Sequence, residues 1–430
     1  METPEWVILG RIVRAVDAAA PDLALTFAPP PQVNILEAGR GAFPDPNRPD
    51  GYISAAVPLY LLAVFAVQPF EETESLGDIE GEHHLVVVRH FPNAEEDLTV
   101  PVPDRPNEIP ALLNFGSVGL FSPSKGVYTI AELQVHDGNH QATLICFESG
   151  FQQWSSMLVE CPLVHEDAAR QWAYHGAVSI DSRFWWFDLS WGILSGNVDG
   201  EFNLVFHPLP DGRVLQDAHG DNEQNALQYR CITVSQKLIR YVEIIEGDGD
   251  DEAAATVHMW TIGSGPVGGQ WEETYAMDFQ AIWNDDSYAE TGLPRNVLPV
   301  VSLVSPEDPN LVYFTLGLRL FCVNVPQHRV VQHGHEVYWL ADNNAQLEAV
   351  GRFVLAWDLP PEDEEEDAAP VPDAEAMVVV FLFLELLCFR KFPRSSKFVV
   401  YLCLVLAEFR FQERIIMHAL DLSACRCPSM

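Results

Sequence analysis

Apolar residues along this chain fall in short runs bounded by Gly, Asp, Asn, Ser or Pro, not in stripes at helical spacing. That pattern predicts strands and tight turns. The clearest case is residues 176–210, GAVSIDSRFWWFDLSWGILSGNVDGEFNLVFHPLP. It predicts strands at Val178–Ile180, Phe184–Leu189, Ile193–Val198 and Phe202–Leu209, with turns at Ser190–Gly192 and Asp199–Glu201. Strands this short cannot bury their apolar side chains alone, so the meander must pack against others like it.

Such neighbours are predicted on both sides. Val127–Val135, Ala142–Phe147 and Trp154–Val159 form an earlier meander, turning at Asp137–Asn139 and Glu148–Gly150. Cys231–Val234, Ile239–Glu246, Thr256–Ile262 and Gln270–Asp278 form a later one, and Val300–Leu303, Leu311–Leu316, Leu320–Val325 and Arg329–Gln332 another. Glu336–Trp339, Leu347–Val350 and Phe353–Asp358 start or complete a further unit. Before residue 110 the candidates are Trp6–Val13, Leu23–Phe27, Val33–Leu36, Leu59–Val67, Leu85–Phe91 and Leu98–Val102, although Trp6–Val16 also fits a short helix. The Pro-rich stretches 44–51 and 102–110 read as loops, because proline biases the residue before it away from helix.

Two units share a strand, a Gly-containing turn and a Trp opening the next strand: ICFESGFQQWSSMLV at 145–159 and HMWTIGSGPVGGQWEETYAM at 258–277. The units recur at roughly 45–60 residues, near the ~40–50 of propeller blades. The predicted fold is therefore all-β, a propeller-like array of short antiparallel meanders, with a β-sandwich as the alternative. The expected organisation is a Pro-rich, β-containing N-terminal part of the body over 1–110 and a repeated-meander core over 111–359. An acidic linker with nothing to bury follows over 360–376, then a hydrophobic and basic tail over 377–430. The tail holds seven Lys/Arg against four Asp/Glu. Three readings of it stay open: a sequence foreign to the fold, a tail packed on the body, or membrane insertion. Its first apolar run, Met377–Phe389, is shorter than the ~20 residues a spanning helix needs.

Charge narrows the partners. Lys+Arg total 24 against 62 Asp+Glu, for a net charge of −38. A field of that sign repels nucleic acid and anionic lipid, and favours a basic protein or a cationic ligand. Cys146, Cys161, Cys231 and Cys322 lie far apart in the body, and Cys388, Cys403, Cys425 and Cys427 in the tail, with no C-x-x-C. Buried free thiols are expected. The opening METPEWVILGR lacks the basic start of a signal peptide, so an intracellular home, cytoplasmic or nuclear, is expected.

Candidate chemistry is sparse. Gly263-Ser-Gly265-Pro-Val-Gly268 matches a dinucleotide fingerprint literally, but Pro266 lies inside it and strand residues follow, so it reads as a hairpin turn. Gly247-Asp-Gly-Asp-Asp-Glu252 lacks the alternating oxygen spacing of a calcium loop. His333, His335 and His328, and the pair His83-His84, fall short of a metal's ligand count, as does Cys425-x-Cys427. Asp181 and Asp188 flank an aromatic run, an arrangement that suggests the paired acids of a glycosidase. Along extended chain, however, they stand more than ~20 Å apart, and Asp188 reads as a turn cap. No G-x-S-x-G elbow, Walker loop or H-E-x-x-H occurs. No catalytic, cofactor-binding or metal residue is assigned.

The openings WVILGRIVRAVDAAAPDLALTF, PPPQVNILEAGR and FPDPNRPDGYISAA resemble the plant "domain of unknown function 1618" family, abundant in grasses. So do VSIDSRFWWFDLSWGILSGNVD and RCITVSQKLIRYVEI. The pairing VHMWTI with QWEETYAMDF is similar to a pattern shared with F-box-associated and kelch-like propeller domains. The resemblance covers roughly residues 5–357. It implies a propeller-like body, carries over no functional residue, and brings no F-box adaptor role. The expected function is non-catalytic protein recognition. The alternative is a hydrolase, acting on carbohydrate, with a dispersed carboxylate site on a propeller.

Overall fold

The computed structural model describes residues 4–17, 23–47, 50–66, 83–89, 98–136, 140–163, 170–197, 202–215, 226–246, 255–263, 269–336 and 354–359. Turns expected at Asp137–Asn139 and Asp199–Glu201, the acidic loop at 247–252, the strands expected at Leu347–Val350 and beyond Glu336, and everything after 359 lie outside them.

The described strands form leaves of four. The first joins β1 (Trp6–Val16), β2 (Leu23–Ala24) and β3 (Val33–Gly39) to the last strand, β24 (Val354–Asp358), in the order β24-β1-β3-β2. The second is the meander β4 (Asp50–Val57), β5 (Tyr60–Ala66), β6 (His83–Arg89) and β7 (Leu98–Pro101). A single residue pair, Ile12 with Tyr52, joins these two leaves into one eight-stranded sheet. Four separate antiparallel sheets follow. They are β8 (Gly119–Ser124), β9 (Val127–Val135), β10 (Gln141–Glu148), β11 (Gln153–Glu160); then β12 (Gly176–Ile180), β13 (Arg183–Asp188), β14 (Gly192–Asn197), β15 (Leu204–Pro208). The last two are β16 (Arg230–Ser235), β17 (Leu238–Ile245), β18 (Thr256–Ile262), β19 (Trp271–Asp278); and β20 (Val300–Val304), β21 (Leu311–Leu316), β22 (Arg319–Asn324), β23 (Arg329–Glu336).

One strand of each leaf touches its counterparts on either side: β24 meets β4, β4 meets β8, and the contacts run on through β12, β16 and β20 back to β24. The leaves therefore close into a ring, a six-bladed propeller. Closure is made by β24, which pairs antiparallel with β1 from the other end of the chain, Trp6 opposite Asp358 and Gly10 opposite Val354. Radial repetition leaves each leaf only the edge of its outermost strand, in place of the long open edges of one continuous sheet.

The core consists of six apolar clusters, one between each pair of neighbouring leaves. The inner strands β9, β13, β17, β21 and β22 bury both faces, which is why their runs are continuously apolar and do not alternate. In β13, Phe184 and Trp186 face the third leaf, while Trp185 and Phe187 face the fifth. The Phe187 ring lies over the backbone of its cross-strand partner Gly176, where an added Cβ would sit 2.3 Å from the ring. The recurring Trp after a glycine turn also acquires a role. Trp154 Nε1 donates to Pro103 O (2.6 Å) and Trp271 Nε1 to Pro208 O (2.7 Å), each tying its strand to the leaf before.

Trp6–Val16 is a strand, as expected from Trp6–Val13, and not the alternative helix; its two faces are taken up by the clusters on either side of the first leaf. Other expectations are corrected. β4 begins at Asp50, inside the stretch read as a loop, and β8 was not anticipated. Two helices, Phe279–Asn284 and Asp286–Thr291, follow β19. Asp278 and Asp285 cap them by accepting from Gln280 N (2.8 Å) and Ser287 N (2.9 Å), and Gly292 ends the second with φ +68°. Phe279, Ile282, Trp283 and Tyr288 fill the cluster between the fifth and sixth leaves.

The Pro-rich connection after β7 is pinned, although it is irregular. Arg105 forms a buried ion pair with Glu132 of β9 (2.7 Å) and lies over the Trp154 ring, 4.5 Å from its centroid. Glu132 also accepts from Leu113 N (2.8 Å) and Gln134 Nε2 (3.2 Å). A carboxylate in mid-strand thus holds the crossover between the second and third leaves.

Candidate functional site

The aromatic meander places its two acids at opposite ends of β13. Asp181 and Ser182 form the hairpin before it, both at positive φ (47° and 61°), as a two-residue type I′ turn requires. Asp188 is 0 % exposed and accepts from Ser190 N (2.7 Å), the Ser190 hydroxyl and Ala173 N (3.0 Å). It caps the turn, as expected. His175 Nδ1 accepts from Leu189 N (2.9 Å), and the Ser190 hydroxyl donates to Asp188. Ser, His and Asp therefore meet here without the wiring of a nucleophilic relay. Arg170 closes the turn from outside, donating to Leu215 O (2.6 Å) and Ser190 O (3.1 Å) over the Trp191 ring.

Neighbouring strands bring together groups the sequence kept apart. Ser195 Oγ lies 2.8 Å from His207 Nε2. Burial, with the Arg183 charge as a lesser cause, lowers the His207 pKa to about 4, so the imidazole is neutral. At 3 % exposure His207 has no access for a substrate. Arg230 pairs with Glu243 (2.8 Å), which also accepts from Tyr241 OH (2.9 Å), while Arg230 Nη1 donates to Leu189 O (2.8 Å). This buried network ties the fifth leaf to the fourth. Only the antiparallel register across β16 and β17 reveals it, Arg230 lying opposite Glu243.

Among the described residues no three His, Cys, Asp or Glu side chains gather as metal ligands. His328 Nε2 lies 3.1 Å from Met277 sulfur, and His333 stands opposite Phe321 in the β22–β23 ladder. His84 faces Asp104 at 3.7 Å. Gly263 and Gly269 flank a connection between the antiparallel neighbours β18 and β19, Ile262 opposite Trp271, so the glycine motif opens no helix. Cys146, Cys161, Cys231 and Cys322 are free, and burial pushes the Cys146, Cys231 and Cys322 thiols up to about 12. No helix among the described residues is long and apolar enough to cross a membrane.

Two surface features remain. The first is a carboxylate patch at the seam where the ring closes. Glu5 precedes β1, Asp358 ends β24, and Glu307 lies in the β20–β21 loop; all three are exposed. Leu359 N donates to Glu5 O (2.8 Å), and Gln236 Nε2 to Glu307 O (2.9 Å). A hydrogen bond with Glu5, then desolvation and the Glu5 and Asp358 charges, raises the Glu307 pKa to about 7. The folded state therefore holds this proton more tightly than the unfolded chain does. Its stabilising effect is complete below about pH 4.5 and is lost as pH rises through about 7. Glu307→Gln is expected to match the parent in thermal stability at the acid end and to exceed it above neutrality. A stability difference independent of pH refutes the shared proton.

The second feature is the edge strand β11. Met157 is 47 % and Leu158 61 % exposed, and Ser155 and Ser156 beside them are exposed too. His140, Gln141, Leu158, Val159 and Glu160 line an open cleft of about 530 Å³ at one end of the strand.

Residues 186–313, from β13 into β21, match the family model described as "Protein of unknown function (DUF1618)". No curated protein matches the chain. Among solved structures, apo AztD from Citrobacter koseri is similar at 11 % identity, over 76 % of this chain and 73 % of that one, with a TM-score of 0.26. Penicillium chrysogenum α-L-arabinanase complexed with arabinobiose is similar at 11 % identity, over 62 % of this chain and 74 % of that one, with a TM-score of 0.28.

Proposed function

We infer that this DUF1618-family protein is a non-catalytic module that recognises another protein. One observation carries the reading: the side-chain pairs with chemical potential are sealed inside the blades, whereas the reachable surface is acidic. Asp188, Ser195 and His207 are buried. Arg105–Glu132 and Arg230–Glu243 are buried as charge-balanced pairs, so the excess of 62 acidic over 24 basic residues is not absorbed by them. Such a surface accelerates encounter with a basic partner.

A second reading has one observation in its favour. Glu307, raised to about 7 beside Glu5 and Asp358, has the protonation of a general acid near neutrality. Against it, Glu5 and Glu307 are hydrogen-bonded to each other. Paired glycosidase carboxylates stand roughly 5–10 Å apart with the sugar between them. Isolation of the full chain with a stoichiometric protein partner, together with a glycoside turnover screen, tests the proposal. Turnover that disappears in Glu307→Gln, with no partner recovered, would overturn it.

A further inference from the structure

We propose that β11 is a docking edge for an extended segment of a partner protein in which basic residues alternate with apolar ones. The inference rests on the recognition reading above and names its site and mode.

Outermost strands are normally shielded by charge, proline or brevity, because their unpaired amides and carbonyls invite another strand. The other leaves follow that rule. β2 has two residues, β7 ends in Pro101 and β15 in Pro208. β19 carries Glu272, Glu273 and Asp278, and β23 carries Arg329. β11 does not: its eight residues, QWSSMLVE, hold no proline and no charge before Glu160. Among the described residues no strand lies beyond it.

Its exposure is also unusual. A strand covered on one face alternates between buried and exposed positions. In β11 the four consecutive residues 155–158 are exposed, so both faces project past the neighbouring leaves. Met157 and Leu158 point to opposite faces and offer an apolar contact on each. An added strand would complete the ladder by main-chain hydrogen bonds, and its side chains would flank those two residues. Leu158 also lines the open cleft. On the opposite face, which carries Gln153 and Met157, Glu148 of β10 lies across from Gln153 and adds a carboxylate for a lysine or arginine of the incoming strand. Charge selects the occupant. A second copy of this chain brings another −38, which opposes edge-to-edge pairing, whereas a basic segment is drawn to the same edge.

Fluorescence anisotropy on the full chain tests this with a labelled decapeptide of alternating valine and lysine. Saturable binding is expected, weakening with salt, and falling at least tenfold when alternate peptide amides are N-methylated. The deciding variant is Leu158→Glu, at an exposed position where folding is unaffected. Attraction by charge alone predicts tighter binding to this more acidic variant; strand addition on an apolar edge predicts at least tenfold weaker binding. Equal or tighter binding by Leu158→Glu overturns the proposal, as does indifference to N-methylation. Photo-crosslinking from position 158 that reaches a second copy or residues 377–430 also overturns it. If the peptide fails while the full chain still holds a stoichiometric partner that Leu158→Glu leaves in place, the edge is wrong and the recognition reading stands.

Discussion

Trp357→Ala is expected to destabilise the protein by about 3–5 kcal/mol, the largest loss from any single truncation in the closing strand. Trp357 is fully buried in the cluster between the first two leaves, tilted against Phe27 at 5.9 Å. Its indole nitrogen donates to Val57 O (2.8 Å), three hundred residues away in sequence. Truncation removes a large apolar side chain and leaves that carbonyl without its donor. The position multiplies the effect. β24 touches both β4 and β20, so a loosened β24 weakens two inter-leaf contacts at once. Among the described residues, the seam between β24 and the sixth leaf also has the smallest of the six clusters. Denaturant unfolding measures the loss, with Leu158→Ala as an exposed control expected to shift stability by less than about 0.5 kcal/mol. Near-equal midpoints for the two variants would show that the terminal strand does not latch the ring.

The second large effect is expected at Glu132. Its removal as Glu132→Ala leaves the Arg105 guanidinium buried without its counter-ion, at a cost of about 3–5 kcal/mol. It also frees Leu113 N from its acceptor. Replacing both partners, as Arg105→Met with Glu132→Leu, is expected to recover most of that loss, because no charge is then left stranded. A double-mutant cycle measures the coupling. Two single losses that simply add would mean that the pair is held by its separate hydrogen bonds and not by its mutual attraction.

Much of this fold was legible in the residues, for a physical reason. Strands buried on both faces are continuously apolar, and β18 and β21 fall at the predicted bounds because turn residues stop them abruptly. Signals failed where local chemistry and tertiary role diverge. Asp50 and Gly51 look like turn residues, yet they open β4, where the Gly51 backbone has Val13 and Phe65 packed close against it. The two short helices carried readable caps in Asp278, Asp285 and Gly292, but their apolar content resembles that of the strands around them. Repeat spacing could not set the blade count, because the first leaf is assembled from both ends of the chain. The buried pairs were least legible. Arg105 with Glu132, and Ser195 with His207, depend on which strand lies beside which. Charge at the surface was the opposite case, since composition alone disclosed it.

The pairing of β1 with β24 has a consequence for biosynthesis. Trp6–Gly10 is synthesised well before its partner strand, which starts at Val354. At ordinary elongation rates the interval is about 20–70 s. During that time the apolar segment Trp6–Gly10 has one edge without its native neighbour. Until then β1 has only β3 and β4 as partners, and the ring stays open at its seam. Closure of the ring waits on β24, whatever the stability of the finished propeller.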